Sequence, residues 1–197
     1  MKYSAGLAST SFWFIESKKI AEFILEGYSK KEIMEIALEE NIFQVDTKSR
    51  IKEIVNGVYR RLNHFPEDIL ESFIRVDVNS AKVLVLISIL NNDKLFFEFM
   101  HEVFKEHILL GDMILKNRDF DIFFDNKSYQ SDIVENWGDD TVSRLKRGYR
   151  NMLSEAGVLD TSQKDKTITV PFIDLKLQQL LIDNNFGPYL FAITGEK

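Results

Sequence analysis

The sequence of 197 residues contains no cysteine, which excludes disulfide bonds and thiolate metal sites. It has only three prolines and nine glycines, a composition that favours helices over a sandwich of many short strands. Its three histidines do not lie at the i, i+4 spacing of a zinc-binding helix, and no phosphate-binding or dinucleotide-binding glycine motif occurs. We therefore expect no cofactor and no metal site.

Long apolar runs are also missing. The most apolar window, residues 81–90, is about half of the ~20 residues that a membrane span needs, and it predicts a buried helix instead. The first ten residues lack the apolar stretch of a signal peptide. We expect a cytoplasmic protein that has no membrane partner.

The abundant residues predict a mainly α fold. The chain is 45% hydrophobic and has sixteen phenylalanines, which indicates an aromatic-rich core. A break at residues 91–93 divides the helical patterns into two predicted lobes, residues 1–92 and 93–197. Each predicted lobe contains one helix that is much more basic than the rest of the chain.

The first basic helix lies in a pattern typical of a helix-turn-helix. Ser29 and Glu32 form a capping box that begins one helix, and Asp46 or Thr47 caps the next. That second helix has an apolar stripe through residues 51–62. Its opposite face carries a single acid, Glu53, and the candidate DNA contacts Lys48, Arg50, Lys52, Asn56, Arg60 and Arg61.

The second basic helix is predicted over residues 141–153, which contain no acid. Its candidate DNA contacts are Arg144, Lys146, Arg147 and Arg150. Residues 158–159 and 167–170 then predict a small β-hairpin, with Lys164 and Lys166 near its tip. A helix followed by a hairpin is typical of a winged helix, and the predicted fold class is mainly α with this hairpin near the C-terminus.

The charge distribution supports these two helices as a nucleic-acid interface. The net charge is −6, but the two basic helices together carry +8, so the remaining residues carry −14. A localised cationic surface on an acidic body can bind phosphate in one place and repel it elsewhere. The alternative is a pair of ordinary amphipathic helices whose solvated faces are basic and dock acidic protein partners.

One further pattern bears on catalysis. Asp112 followed by Asp125-x-Lys127 resembles the D…D-x-K arrangement of metal-dependent nucleases, in which carboxylates hold Mg²⁺. That chemistry places the second motif on a strand, whereas the phenylalanines around Asp125 have helical spacing. A nuclease is therefore the less favoured alternative, and Asp112 and Asp125 are more simply surface carboxylates.

Several short segments follow one another in a characteristic order and spacing over nearly the whole chain: YSAGLASTSFWF, E-x-x-K-I-A, LEGYS, EENIFQ…SR…RL, LFFEFMHEV, DIFF-x-N-K-x-x-Q-S and W-x-x-x-T-x-x-R-L…EAG. Together they resemble the BrxA family of bacteriophage exclusion (BREX) systems. The resemblance implies a mostly helical, non-enzymatic phage-defence component. It also implies double-stranded DNA and other BREX proteins as partners, whereas it supplies no contact residues.

Overall fold

The computed structural model describes residues 2–162 and 165–196, and the predicted mainly α fold is confirmed. A 3-10 turn at Gly6–Ala8 precedes the first helix, and a π-helical turn at Met100–Phe104 joins α6 to α7. Among the described residues, no helix combines the length and apolar composition that a membrane crossing requires. The helices are α1 (Phe14–Leu25), α2 (Lys30–Glu40), α3 (Lys48–Leu62), α4 (Glu67–Arg75), α5 (Val78–Leu90), α6 (Lys94–Phe99), α7 (Lys105–Leu110), α8 (Asn117–Gln130), α9 (Asp132–Glu135), α10 (Asp139–Glu155), α11 (Leu175–Asp183) and α12 (Gly187–Thr194).

A three-stranded antiparallel sheet flanks the C-terminal helices. Strand β3 (Lys166–Ile168) pairs with β2 (Leu159–Asp160) on one side and with β1 (Ile114–Leu115) on the other, giving the order β1-β3-β2. The predicted hairpin after the second basic helix is therefore confirmed. Around Gly111 the chain passes from the end of α7 to the short strand β1.

Local capping explains where several helices begin. The Ser29–Glu32 capping box is present, and the Thr47 side chain accepts a hydrogen bond from the backbone N–H of Arg50. Ser9, Thr10 and Ser11 are residue types that favour a helix N-cap, and a first helix capped by one of them is the sequence prediction; it is wrong, because α1 begins at Phe14. Trp13, in the left-handed region with φ 58°, precedes it without a capping side chain. Residues 9–11 remain outside the helix.

The core surrounds α5, which is buried almost all round, as its apolar sequence predicts. A second part of the core is aromatic, and in it Tyr149 stacks on Phe96 with ring centroids 4.3 Å apart. Buried side chains from both predicted lobes belong to one hydrophobic cluster. The division into residues 1–92 and 93–197 stays a prediction.

Residues 3–13, called here the N-terminal segment, connect elements that are distant in sequence. The Tyr3 hydroxyl donates to Glu98 Oε2 over 2.8 Å on α6. The Leu7 carbonyl lies against Gly148 of α10, where an added methyl group would come within 2.7 Å of the oxygen. Trp13 packs against Gly57 of α3, where a methyl group would come within 2.5 Å of the indole ring. The segment therefore touches both basic helices at their glycines.

The prediction that Arg61 lies on the exposed face of α3 is wrong. Its side chain is 2% exposed, and its guanidinium donates to the carbonyl oxygens of Ser11 and Phe12 over 3.0 Å each. It also lies 5.2 Å from the centre of the Trp13 ring. Burial and the neighbouring Arg60 lower the pKa of Arg61 to about 10, so the side chain stays charged at neutral pH. Arg61 therefore anchors the N-terminal segment.

We expect Arg61→Leu to lower the free energy of unfolding by roughly 2–4 kcal/mol, because two buried carbonyls lose their donor. Urea denaturation followed by circular dichroism measures the change. Arg60→Leu is the matched control, since Arg60 is adjacent and exposed, and it should change stability by less than about 0.5 kcal/mol. Equal effects of the two variants would contradict the anchoring role.

Asp93 is a buried capping residue close to the same arginines. It is 7% exposed, and its Oδ1 accepts a hydrogen bond of 2.9 Å from the Phe96 N–H at the start of α6. Burial raises the pKa of Asp93 to about 6, although the capping N–H groups, Arg60 and Arg61 act in the opposite direction. The folded protein therefore favours the protonated form of this carboxyl more than the unfolded chain does.

This raised pKa predicts a specific dependence of stability on pH. The folded protein binds the Asp93 proton more tightly, so its contribution is fully present below about pH 4 and is lost as pH rises through about 6. The loss is at most about 3 kcal/mol. Asp93→Asn keeps a capping side chain and removes the titration. The stability difference between wild type and Asp93→Asn should change across this pH range; a constant difference would contradict the prediction.

Candidate nucleic-acid interface

The exposed face of α3 carries four of its six candidate contacts. They lie one turn apart and are exposed: Lys48, Lys52, Asn56 and Arg60. Within residues 2–162 and 165–196, none of the three cations in this row forms an ion pair with a carboxylate. This row is therefore available to phosphate groups.

Arg50 is half-buried and is held by the protein itself. Its Nη1 lies 2.7 Å from Glu53 Oε2, and its Nη2 donates to Ser11 Oγ over 3.3 Å. Its guanidinium carbon lies 5.3 Å from the centre of the Trp13 ring, so Arg50 and Arg61 both lie beside the same indole. Arg50 contributes positive potential beside the N-terminal segment, but fewer of its N–H groups are free to bind a ligand.

On α10 the four predicted cations separate into two rows. Arg144 and Arg147 are exposed, one helical turn apart and in line with Asn151. Neither arginine pairs with a carboxylate in the described part of the chain. This row presents two guanidinium groups and one amide, all of which can hydrogen-bond to phosphates or base edges.

The other row of α10 faces α8 and the sheet. Lys146 pairs with Asp121 at 2.7 Å, and Arg150 Nη1 donates to Asn117 Oδ1 over 2.8 Å. Lys166 of β3 donates to the same Asn117 oxygen over 3.0 Å. These three candidate contacts help to hold α8, α10 and the sheet together. Lys164, the remaining candidate, lies outside the described residues.

The N-terminal segment lies between parts of the two basic helices and lines a groove beside each of them. A groove of about 290 Å³ lies between residues 7–12 and α10, and Arg144, Arg147 and Asn151 line it. A second groove of about 150 Å³ is lined by Arg60 and Arg61 on α3, and Leu7 lines both grooves. Leu7 contacts α10 and Ser11 contacts α3. The chain from Leu7 to Ser11 spans at most about 14 Å when fully extended, so these two contacts lie close together.

The sequence pattern predicts no candidate contact in the N-terminal segment. The segment has no helical or strand period, and its contacts with α3, α6 and α10 join residues about forty positions apart or more. The one local signal is the run Ser9-Thr10-Ser11, which interrupts the apolar residues on either side of it. Serine and threonine are common helix-capping residues, so this run alone does not indicate that the segment contacts two basic helices.

The first predicted helix-turn-helix differs from the usual motif in two respects. The connection between α2 and α3 covers residues 41–47, which is longer than the 3–4-residue turn of the motif. The outer surface of α2 is also acidic toward its C-terminal end, where Glu35, Glu39 and Glu40 are exposed. Acidic side chains repel phosphate, so α2 is poorly suited to cross a DNA backbone.

The nuclease-like pattern is not assembled around one site. Asp112 and Asp119 line a cleft of about 350 Å³ between α7 and α8, whereas Asp125 lies on the exposed side of α8. Lys127 is 3% exposed and lies 2.7 Å from Glu98 and 2.6 Å from Glu102. Burial opposes its charge, but these hydrogen bonds outweigh burial and raise the pKa of Lys127.

The same result holds for metal ligands more widely. In residues 2–162 and 165–196, no group of three or more histidine, aspartate or glutamate side chains is placed to hold a metal ion. His107 instead lies 2.7 Å from the Asp112 carbonyl oxygen and 3.4 Å from Asp119 Oδ2. These contacts fasten the end of α7 to the turn before β1 and to the start of α8.

Comparisons with known proteins show the family and the fold of this chain. A protein described as "BREX protein BrxA" from Bacillus cereus (strain H3081.97) is 38% identical over 194 residues, which cover 98% of this chain and 97% of that protein. A crystal structure of an uncharacterized protein from Magnetospirillum magneticum has the same fold, with a TM-score of 0.84 over 100% of both chains and 20% identity. The sequence model of the BrxA family matches residues 1–185. The resemblance seen in the short motifs is therefore confirmed, and the chain belongs to the BrxA family.

Proposed function

We propose that this chain is a non-enzymatic, double-stranded-DNA-binding component of a bacterial BREX phage-defence system. The observation that carries the proposal is the pair of exposed, unpaired guanidinium groups, Arg144 and Arg147, on the free face of α10. Membership of the BrxA family and the 38% identity to a BREX protein support the defence context. The positions of the cations support DNA as the ligand.

The order of elements in residues 94–168 supports α10 as the main contact. The helices α6 and α7, strand β1, α8, the short α9, α10 and the β2–β3 hairpin follow one another, and the strands have the order β1-β3-β2. This order resembles that of a winged helix, and in DNA-binding motifs of the helix-turn-helix type the recognition helix enters the major groove. In this proposal the paired strands β2 and β3 correspond to the wing.

Electrostatics favour one binding face on an otherwise acidic molecule. The net charge of −6 keeps phosphate away from most of the surface, while the free cations of α3 and α10 attract it on one side. Each phosphate that such a face neutralises releases counterions, so affinity should fall steeply with salt. Binding of this kind places the protein on duplex DNA with little dependence on base sequence.

The row on α3 fits a supporting role on the DNA backbone. Lys48, Lys52 and Arg60 are free cations, and the N-terminal segment connects α3 to α10 over a short distance. Arg61 is excluded from this role because its guanidinium is buried under Ser11 and Phe12. We therefore place the main phosphate contacts on α10 and supporting backbone contacts on α3.

Charge reversal on α10 tests the main contact. We expect Arg144→Glu/Arg147→Glu to weaken binding to random duplex DNA by roughly 100-fold at moderate salt and to lower the log–log salt slope by about 1.8. Fluorescence anisotropy titrations at several salt concentrations measure both quantities. Arg75→Glu/Lys176→Glu is the matched control, because it makes the same charge change at exposed positions on α4 and α11. Equal losses in the two double variants would indicate a general charge effect and contradict a site on α10.

Charge reversal on α3 tests the supporting contact separately. Lys48→Glu/Lys52→Glu/Arg60→Glu should weaken binding and reduce the salt slope, but discrimination between DNA sequences should stay the same, since backbone contacts carry no base information. The same titrations on two unrelated duplexes provide the measurement. Unchanged affinity and slope, with unchanged helicity, would remove α3 from the interface.

A second function, docking of a protein partner, is favoured by the cleft between α7 and α8. Its wall contains apolar side chains that are unusually exposed, with Leu110 at 75% and Ile122 at 49%. Glu106 and Asp112 are exposed at its rim. Binding to DNA with a salt slope of several units supports the first function. A chain that does not bind DNA would leave the adaptor role as the better account.

A further inference from the structure

We infer that the groove between residues 7–12 and α10 binds a backbone phosphate of duplex DNA, gripped by Arg144, Arg147 and the N-terminal segment together. This inference rests on the proposed function and adds the segment as a third contact element. The groove has a volume of about 290 Å³, and Ser9, Thr10 and Ser11 form one wall opposite the two arginines. A phosphate group in this groove would therefore have protein on both sides.

The hydrogen-bonding state of the serine and threonine wall favours an anion. The Thr10 hydroxyl donates to the Gly6 carbonyl over 2.6 Å, so its proton is already used. Ser11 Oγ accepts from Arg50, which leaves its own proton without an acceptor among the described residues. The backbone N–H groups of Thr10 and Ser11 also have no acceptor in that part of the chain. The wall thus offers donors that phosphate oxygens can satisfy.

The charges around the groove point the same way. Arg144 and Arg147 line it from α10, and Arg50 and the buried Arg61 lie behind the serine wall. One acid, Glu155, also lines the groove, two helical turns beyond Arg147. Burial and nearby Glu16 raise the pKa of Glu155, while Lys82 lowers it. The carboxyl at that end places the phosphate near Arg144 and Arg147.

The wall is held in place before any ligand arrives. Arg61 fixes the carbonyls of Ser11 and Phe12 from inside, and Leu7 is fixed by its contact with Gly148. Tyr3 adds a hydrogen bond to Glu98 at the beginning of the segment. Because the donors are ordered in the free protein, binding a phosphate does not require a loop to fold.

A titration with inorganic phosphate tests the groove without DNA. In two-dimensional ¹H–¹⁵N NMR spectra of the full chain, we expect saturable shifts of the Thr10 and Ser11 amides. These shifts should disappear in Arg144→Gln/Arg147→Gln and persist in the control Arg75→Gln/Lys176→Gln. Shifts that do not saturate, or that occur only at Lys48 and Lys52, would overturn the assignment.

Binding to a duplex tests whether DNA supplies the phosphate. Ser11→Ala removes one donor and should weaken binding about 3-fold, whereas Ser11→Asp adds a negative charge and should weaken it at least about 10-fold. Lys176→Ala has the same net charge as Ser11→Asp and should bind like the wild type. Thermal unfolding of each variant verifies that Ser11→Asp remains folded, and Ser11→Ala keeps the test valid if it does not.

The two proposals fail in different ways. If wild type binds DNA and Arg144→Glu/Arg147→Glu does not, unchanged binding by the Ser11 variants overturns the groove assignment alone. If wild type shows no salt-dependent DNA binding, the proposed function fails. If the groove amides nevertheless shift with inorganic phosphate, the groove binds phosphate, but the inference that DNA supplies this phosphate is overturned. Saturable phosphate shifts together with weaker DNA binding by both Ser11 variants support the inference.

Discussion

Two hydrogen bonds from the buried Arg61 guanidinium to the carbonyl oxygens of Ser11 and Phe12, each 3.0 Å long, hold the N-terminal segment against α3. Burying a cation costs free energy unless its N–H groups find acceptors. Here two main-chain carbonyls accept hydrogen bonds from the guanidinium, and the Trp13 ring lies beside it. Because the segment also rests on Gly148, this buried arginine links α3 to α10 through the segment, in addition to the core that both helices share. The groove beside Arg144 and Arg147 depends on this link, since residues 7–12 form one of its walls.

The basic residues divide into those that stabilise the fold and those that remain free. One group forms hydrogen bonds or ion pairs within the protein, and its members are Arg61, Lys127, Lys146 and Arg150. The other group lies on the surface without a carboxylate partner in the described residues, and its members are Arg144, Arg147, Lys48, Lys52 and Arg60. An acidic protein repels phosphate over much of its surface, so clustered free cations on two helices favour phosphate binding where they lie. Net charge alone would have argued against DNA as a ligand.

Helix type and capping could be predicted from local sequence because their causes are local. The Ser29–Glu32 capping box and the buried helix over residues 81–90 follow from residues within one or two turns.

Arg61 shows where such reasoning fails. Its spacing from Ile54 and Val58 predicts a buried side chain, whereas the charge of arginine predicts an exposed one. Only the distant carbonyls of Ser11 and Phe12, which accept its hydrogen bonds, decide between these two predictions. Lys127, in line with Phe120 and Phe123, is buried for the same reason, as Glu98 and Glu102 lie beside it. Strand β1 pairs with residues about fifty positions away and has too few residues to show a period.

The position of Trp13 has a consequence for how the protein can be observed. The chain has two tryptophans, and Trp13 lies between the guanidinium groups of Arg50 and Arg61, with its indole against Gly57. Its buried indole N–H lacks a hydrogen-bond partner within the described residues. The emission of an indole depends strongly on nearby charge and on water, so Trp13 is a natural optical probe of the N-terminal segment. With Trp137 replaced by phenylalanine, the fluorescence of the unlabelled protein would report whether this segment stays seated while other molecules bind.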